Sequence, residues 1–395
     1  MNSTTSNTRF NVGLLAACQA MLMTNNSTLI AVNGLAGLAL APNSSLATLP
    51  VTCWVVCGAI ATMRASKYMK RVGRRRGLIR GASIGIVGAA ICAAAIWQAS
   101  FWLLCFGALV WGGFNAFGQY YRFVAAEVAA PDFCATAVSL VLAGGLVGGI
   151  VGPTLSRYTV DLVGPRFAGA YLALIVFALL TMAVLSRIRI ADPTVAEQTA
   201  SGRPLSEIAA QPKYIVAVMA GAISYGVMNF LMTSTPIAMG ICGHPYGDAA
   251  FVISSHVIGM FAPSFFTGGL IKRCGTIPVM LAGAALNIAC IAIALAGVAV
   301  ANFWWALVLL GVGWNFLYIG ATTLLTETYR PEERAKAQGA NETAIFVMMA
   351  LSSLSSGMIV TNAGWEKVNY AATPLVAIVI LALLFLFIEM RKHRT

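Results

Sequence analysis

Residues 113–137 read GFNAFGQYYRFVAAEVAAPDFCATA, and residues 313–337 read GWNFLYIGATTLLTETYRPEERAKA. At this fixed offset of 200 residues, Gly113 and Asn115 fall on Gly313 and Asn315. Glu127, Pro131, Ala135 and Ala137 then fall on Glu327, Pro331, Ala335 and Ala337 without a gap. A second correspondence, offset by 202, sets Lys70, Arg71 and Gly73 on Lys272, Arg273 and Gly275. Self-similarity over such a distance marks the chain as two copies of one architectural half.

The chain around these copies is apolar. Of 395 residues, 59% are hydrophobic and 10% charged, a balance that points to lipid as the solvent. A bilayer core of about 30 Å takes about 20 mainly apolar residues per helix, and the chain offers about twelve such stretches. Among them are 46–63, 101–126, 250–271, 339–361 and 372–390. Strands are excluded, because open edges leave backbone groups unpaired in hydrocarbon and the runs are too long and unalternating for a barrel. The expected fold is an all-α membrane protein of twelve transmembrane helices in two six-helix bundles, 1–186 and 214–395. A polar linker, 187–213, carrying Asp192, Pro193, Glu197 and Gln198, joins them.

The net charge of +12 would suggest nucleic acid in a soluble protein. Its distribution argues otherwise. All but Arg157, Arg166 and Lys367 of the 25 lysines and arginines fall on one side of the predicted spans, which makes that side the cytoplasm and puts both termini there. The polar first span has no cleavage site, so no signal peptide is expected. The cysteines lie in apolar spans or at their cytoplasmic ends, Cys242 excepted, so neither a disulfide framework nor a metal site is expected. Nothing calls for a cofactor.

The basic run Lys70, Arg71, Gly73, Arg74 and Arg75, and its second copy in Gly268, Lys272, Arg273 and Gly275, resemble the signature of the major facilitator superfamily. The resemblance covers essentially the whole chain. It departs from the pattern at Ser66, where the family has glycine, and at Lys70 and Lys272, where it has an acid that gates near the start of helix eleven. Lys70 and Lys272 are gating candidates by position, although the role of the family's acid does not carry over directly to a lysine. Gly148, Gly152 and Pro153 are similar to a Gly-Pro motif linked with exporters and are read as a packing and kink element. Ala108 stands where proton-driven drug exporters carry an arginine. The runs 46–50 (LATLP), 69–76 (MKRVGRRR) and 114–123 (FNAFGQYYRF) resemble a small bacterial branch that includes riboflavin transporters.

In that family helices one, four, seven and ten line the central cavity, and each carries an asparagine near mid-span here: Asn26, Asn115, Asn229 and Asn315. Four amides at similar depth are expected to converge on protein, water or ligand, since an amide alone among lipid tails is costly. Helical spacing adds Gln119 and Arg122 to Asn115, Tyr225 to Asn229, and Tyr318 to Asn315. Arg122 is expected either to hold an anionic group or to pair with Glu127. Two intramembrane groups could titrate: His256, a hydrogen-bonded structural residue or a proton carrier, and Glu342, a helix-start stabiliser or a gate partnered by Lys70.

Amides and aromatics with few charges suit a planar, polar, uncharged solute. The resemblance makes riboflavin the first candidate, taken up across a bacterial inner membrane by alternating access. Partners would be that solute, the lipid bilayer and, if coupled, protons; no nucleic acid is expected. Export of drugs or metabolites is the transport alternative, and a non-transporting membrane sensor the alternative of another class. No His-Glu-x-x-His, phosphate-binding glycine loop or acid pair supports an enzyme. The repeat breaks at Arg122 and Glu342, whose counterparts are Thr322 and Leu142.

Overall fold

The structure is a computed structural model that describes residues 2–43, 46, 49–190, 194 and 202–392. The middle of the linker, including Asp192, Pro193, Glu197 and Gln198, lies outside the described residues. The described residues are helical, with no strand among them. In chain order the helices are α1 (Asn2–Leu40), α2 (Leu49–Val72), α3 (Arg74–Trp97), α4 (Phe101–Gly118), α5 (Tyr121–Val128), α6 (Cys134–Thr159) and α7 (Ala168–Leu185). After the linker come α8 (Leu205–Ala209), α9 (Pro212–Ile241), α10 (Tyr246–Phe261), α11 (Ser264–Cys274), α12 (Thr276–Ala296), α13 (Val300–Thr326) and α14 (Arg334–Lys392).

Nine of the described helical stretches, with α4 and α5 taken as one, are long and apolar enough to cross a membrane, and α10 with α11 makes a tenth, bent by 41°. The stretch α14 holds two spans separated at Gly364, whose φ of 83° interrupts the helix. The sequence expects a loop there, at 362–371. The 39-residue α1 is long enough to span but too polar to pass on apolarity, because Gln19, Asn25, Asn26 and Asn33 turn into the protein. Counting α1 and both parts of α14 gives the twelve segments of the expected fold.

Large apolar side chains cover the outside of these helices. Trp102, Phe106, Ile150, Phe265, Leu354 and Leu381 are each more than half exposed, a surface that only lipid accommodates. Exposed Trp97, Trp102, Tyr158 and Trp305 sit at helix ends, where amphipathic rings favour the membrane interface.

By contacts the chain forms two compact units. Unit 1 comprises 1–129, 141–201 and 331–343, so it holds α1 to α5, most of α6, α7 and the first residues of α14. Unit 2 comprises 130–140, 202–330 and 344–395, with the start of α6, α8 to α13 and the rest of α14.

In unit 1, α6 lies against α1 so closely that a Cβ on Gly144, Gly148 or Gly152 would meet α1 backbone. Thr28 donates to the Gly152 carbonyl across the same contact at 3.0 Å. Small residues at every fourth position allow such approach. Unit 2 has its own core, in which Phe230, Leu310, Phe303, Trp365 and Val368 meet.

The internal repeat is visible in backbone geometry. Lys70 and Arg71 fill the last turn of α2, Lys272 and Arg273 that of α11. The next helix begins after a glycine of the same conformation, Gly73 (φ 94°, ψ 155°) and Gly275 (φ 91°, ψ 159°). Only glycine adopts this region without strain. The second span therefore runs to Val72, well past the predicted 63, and the expected basic loop is largely helix closed by a one-residue turn.

Candidate functional site

α4 is an apolar helix begun by Ser100, whose hydroxyl accepts from Leu103 N. It breaks at Gln119 and Tyr120, where the Tyr120 N–H reaches Phe117 O, three residues back. The equivalent stretch of the second half lies inside the continuous α13. At the break Gly118 meets Leu22 of α1 with no room for a Cβ. Asn115 is thereby brought to α1, and its Oδ1 accepts from Asn26 Nδ2 at 2.9 Å and from Gln119 Nε2 at 3.2 Å. Asn26 Oδ1 is buried without a partner among the described residues, as are both polar atoms of the adjacent Asn25. Amides left open in this way hold binding capacity for water or solute.

One turn beyond the break, Arg122 pairs with Glu342 at the start of α14, inside unit 1. Both are buried, at 2% and 0% exposure. Asn341 Nδ2 donates to the same carboxylate oxygen at 2.8 Å, and the guanidinium lies 4.7 Å from the Phe123 ring centroid. Glu342 Oε2 has no partner among the described residues. A buried ion pair is costly to break, since removing one member strands the other charge.

This corrects two expectations. Arg122 does not pair with Glu127, because the helical break turns it to the other side. Glu127 instead accepts from Arg74, from Arg334 at 2.9 Å and from Gln338 at 3.0 Å. Glu342 does not pair with Lys70, because Arg122 already occupies it. Lys70 sits among the charges of Glu332, Arg334 and Lys336, at the basic end of unit 1. Lys272, its repeat counterpart, makes a 3.6 Å ion pair with Asp132 in which both side chains are largely exposed. Such a pair contributes little by itself.

In unit 2, Tyr225, Asn229 and Tyr318 come together. The Tyr225 ring meets Trp314 at 5.5 Å and Tyr318 at 5.4 Å, both edge-on, while Trp314 and Tyr318 stack at 4.7 Å. One turn along α9, Asn229 donates to Ser352 Oγ at 2.9 Å.

Asn315 does not join that group. Its Nδ2 donates to Met260 O and Ser264 Oγ at 2.7 and 2.6 Å, and its Oδ1 accepts from Thr267 at 2.7 Å. The cause is the bend between α10 and α11, where Pro263 has no N–H to offer and carbonyls of the preceding turn are freed. Asn315 satisfies one of them, so its amide is spent on the kink. His256 is also committed: its Nδ1 lies 2.7 Å from Leu307 O, an atom that can only accept, so the ring proton sits on Nδ1. The opposite nitrogen, Nε2, is buried without a partner among the described residues.

Sequence reasoning missed Asn25, Asn341 and Ser352, the partner of Asn229. Asn25 adjoins Asn26 but occupies another face of α1. The run LSSLSSGM at 351–358 did carry a signal, hydroxyls repeating every fourth residue within an apolar span.

Comparison with known proteins agrees with this architecture. The sequence profile of the Major Facilitator Superfamily matches residues 15–245 and 217–395. A riboflavin transporter of Brucella anthropi, RfnT, is 41% identical over 381 residues, 95% of each chain. An uncharacterized transporter of the same type from Bacillus subtilis, YddS, is 27% identical and covers 87% of this chain and 83% of its own. Among solved structures, the transporter FucP in its outward conformation superposes with a TM-score of 0.75 at 17% identity, covering 95% of this chain and 98% of that one. The human organic anion transporter MFSD10 gives 0.78 at 11%, covering 95% and 99%. These structures share the fold. The chain belongs to the major facilitator superfamily: it is a multi-pass membrane transporter of a small molecule, not an enzyme.

Proposed function

We propose that the protein takes up riboflavin across a bacterial inner membrane by alternating access of its two repeat halves, with both termini in the cytoplasm. The observation that carries this reading is the 41% identity to a riboflavin transporter, sustained over 95% of both chains. Two groups of side chains support it chemically. In unit 1, Asn26, Asn115 and Gln119 offer amides suited to an imide edge; in unit 2, Tyr225 and Tyr318 offer aromatic surface beside Asn229. An amide reads an imide by one donor and one acceptor, and an aromatic face suits a flat ring system.

For coupling, Glu342 is the best supported of the candidates. It is a buried carboxylate bonded to Arg122, with one oxygen open, in the part of the repeat that has no counterpart. Protonation there would release Arg122, so a proton can be exchanged for a change of contacts between α5 and α14. His256 is less suited, since a proton taken up at Nε2 would leave an imidazolium whose second N–H is buried without an acceptor among the described residues. Gly148 and Gly152 serve the α1–α6 contact, as a packing element would, and carry no argument for export.

A riboflavin auxotroph tests the proposal. Cells making the protein are expected to grow on limiting external riboflavin on which the parent does not. Equal growth of the two, with the protein shown to be in the membrane, sinks it.

A further inference from the structure

Near the middle of α9, Tyr225, Asn229 and Thr233 stand at successive turns on one helix face, each half-buried. By helical rise they are about 6 Å apart. On α14, Ser352 and Ser356 repeat at the same interval and meet them rung by rung. Asn229 Nδ2 lies 2.9 Å from Ser352 Oγ, and Thr233 Oγ1 lies 2.9 Å from Ser356 Oγ.

A Ser or Thr hydroxyl in a membrane helix ordinarily bonds the carbonyl one turn back, and some of these do. Thr233 reaches Asn229 O at 2.7 Å, Ser352 reaches Met349 O at 3.0 Å, and Ser356 reaches Ser353 O at 2.9 Å. Each hydroxyl has a single proton and two lone pairs, so these bonds leave acceptor capacity on all three oxygens. The Asn229 Oδ1 has no protein donor among the described residues. Asn229 and Thr233 remain partly exposed, while Ser352 and Ser356 are buried behind them. The result is a polar track along α9 that begins at the Tyr225, Trp314 and Tyr318 cluster and continues for two turns, backed by the two serines. Polar groups such as Asn229 and Thr233, partly exposed near the centre of a span, are expensive against lipid tails, which favours a polar occupant on this face.

We propose that this track is a two-part subsite within unit 2 for a solute with a flat aromatic head and a polyhydroxylated tail. The head lies against Tyr225 and the tail hydroxyls bond Asn229 and Thr233, which Ser352 and Ser356 hold in place from behind. This inference rests on the riboflavin reading, because riboflavin joins an isoalloxazine ring to a five-carbon ribityl chain, and it assigns the ribityl end to residues outside the amide group of unit 1. It makes the hydroxyl rungs determinants of specificity: they distinguish riboflavin from flavins that lack the polyol.

The test is equilibrium binding to the purified full-length protein, read by quenching of flavin fluorescence. Riboflavin is compared with lumiflavin, which keeps the ring and replaces the ribityl chain by a methyl group. Wild type is expected to bind riboflavin more tightly. Thr233→Val and Ser356→Ala, studied separately so that one informative variant remains if the other folds poorly, are each expected to weaken riboflavin about fivefold to tenfold, the effect of one lost hydrogen bond. Lumiflavin affinity is expected to be unchanged in both, so that the preference collapses. If both flavins weaken equally, or neither does, the subsite is overturned while the riboflavin reading stands. If wild type binds neither flavin, the subsite and that reading fall together.

Discussion

Arg122 and Glu342 are buried in each other's company, so each sets the cost of changing the other. Replacing Glu342 by Ala leaves a buried guanidinium without its counter-ion, at a cost of about 3–5 kcal/mol. A markedly lower melting temperature in detergent, together with lost uptake, is the expected outcome. Replacing both residues by Met is expected to recover the melting temperature and not the uptake, since an apolar pair packs but cannot exchange a proton. Recovery of both would remove the pair from coupling. Asn115→Ala is expected to reduce uptake severalfold while the protein still reaches the membrane, because it removes the acceptor that Asn26 and Gln119 share. Unchanged uptake at normal protein levels would reduce that amide to a packing role. At this scale the sequence was only partly legible. Arg122 and Glu342 stand out as charges where the repeat breaks, but what joins them is the interruption at Gln119, and no residue pattern announces that turn. Asn315 shows the converse. It aligns with Asn115, yet Pro263, distant in sequence, claims its amide.

Two kinds of glycine govern how the helices meet. Gly73 and Gly275 turn the chain through a conformation closed to other residues, so Ala at either is expected to lower stability by about 1–3 kcal/mol, read as a fall in melting temperature. If one tolerates Ala without effect, the repeat is not equivalent at these turns. Gly148 instead keeps α6 and α1 in contact, and Gly148→Leu is expected to cut the yield of monodisperse protein sharply, since the added side chain would meet α1 backbone. Full yield would contradict the packing. Helix type and the positions of most spans were readable from apolar length, because the bilayer imposes both. Helix ends were less so. The basic run 64–76 looks like a loop by charge, but lysines and arginines in the last turn of a helix suit its dipole, and α2 continues to Val72. The last two spans are separated by one non-helical residue, Gly364, where the sequence expects a ten-residue loop at 362–371.

For the molecule as a whole, the repeat carried the fold. An offset of 200 residues and the one-sided distribution of basic residues, together with the resemblance of the basic runs to the family signature, were enough to expect twelve helices in two related halves. The family match and the structural neighbours agree with that expectation. Function was less legible, since the proposed sites rest on a few side chains, among them hydroxyls indistinguishable in sequence from ordinary helix residues. The direction of transport belongs to this scale as well. Intact cells of a riboflavin auxotroph, given labelled riboflavin, measure substrate and direction together. The account predicts label accumulating inside cells that make the protein, faster than in the parent strain and suppressed by unlabelled riboflavin. Accumulation no faster than in the parent, or faster loss of label from preloaded cells without any gain on entry, would contradict it.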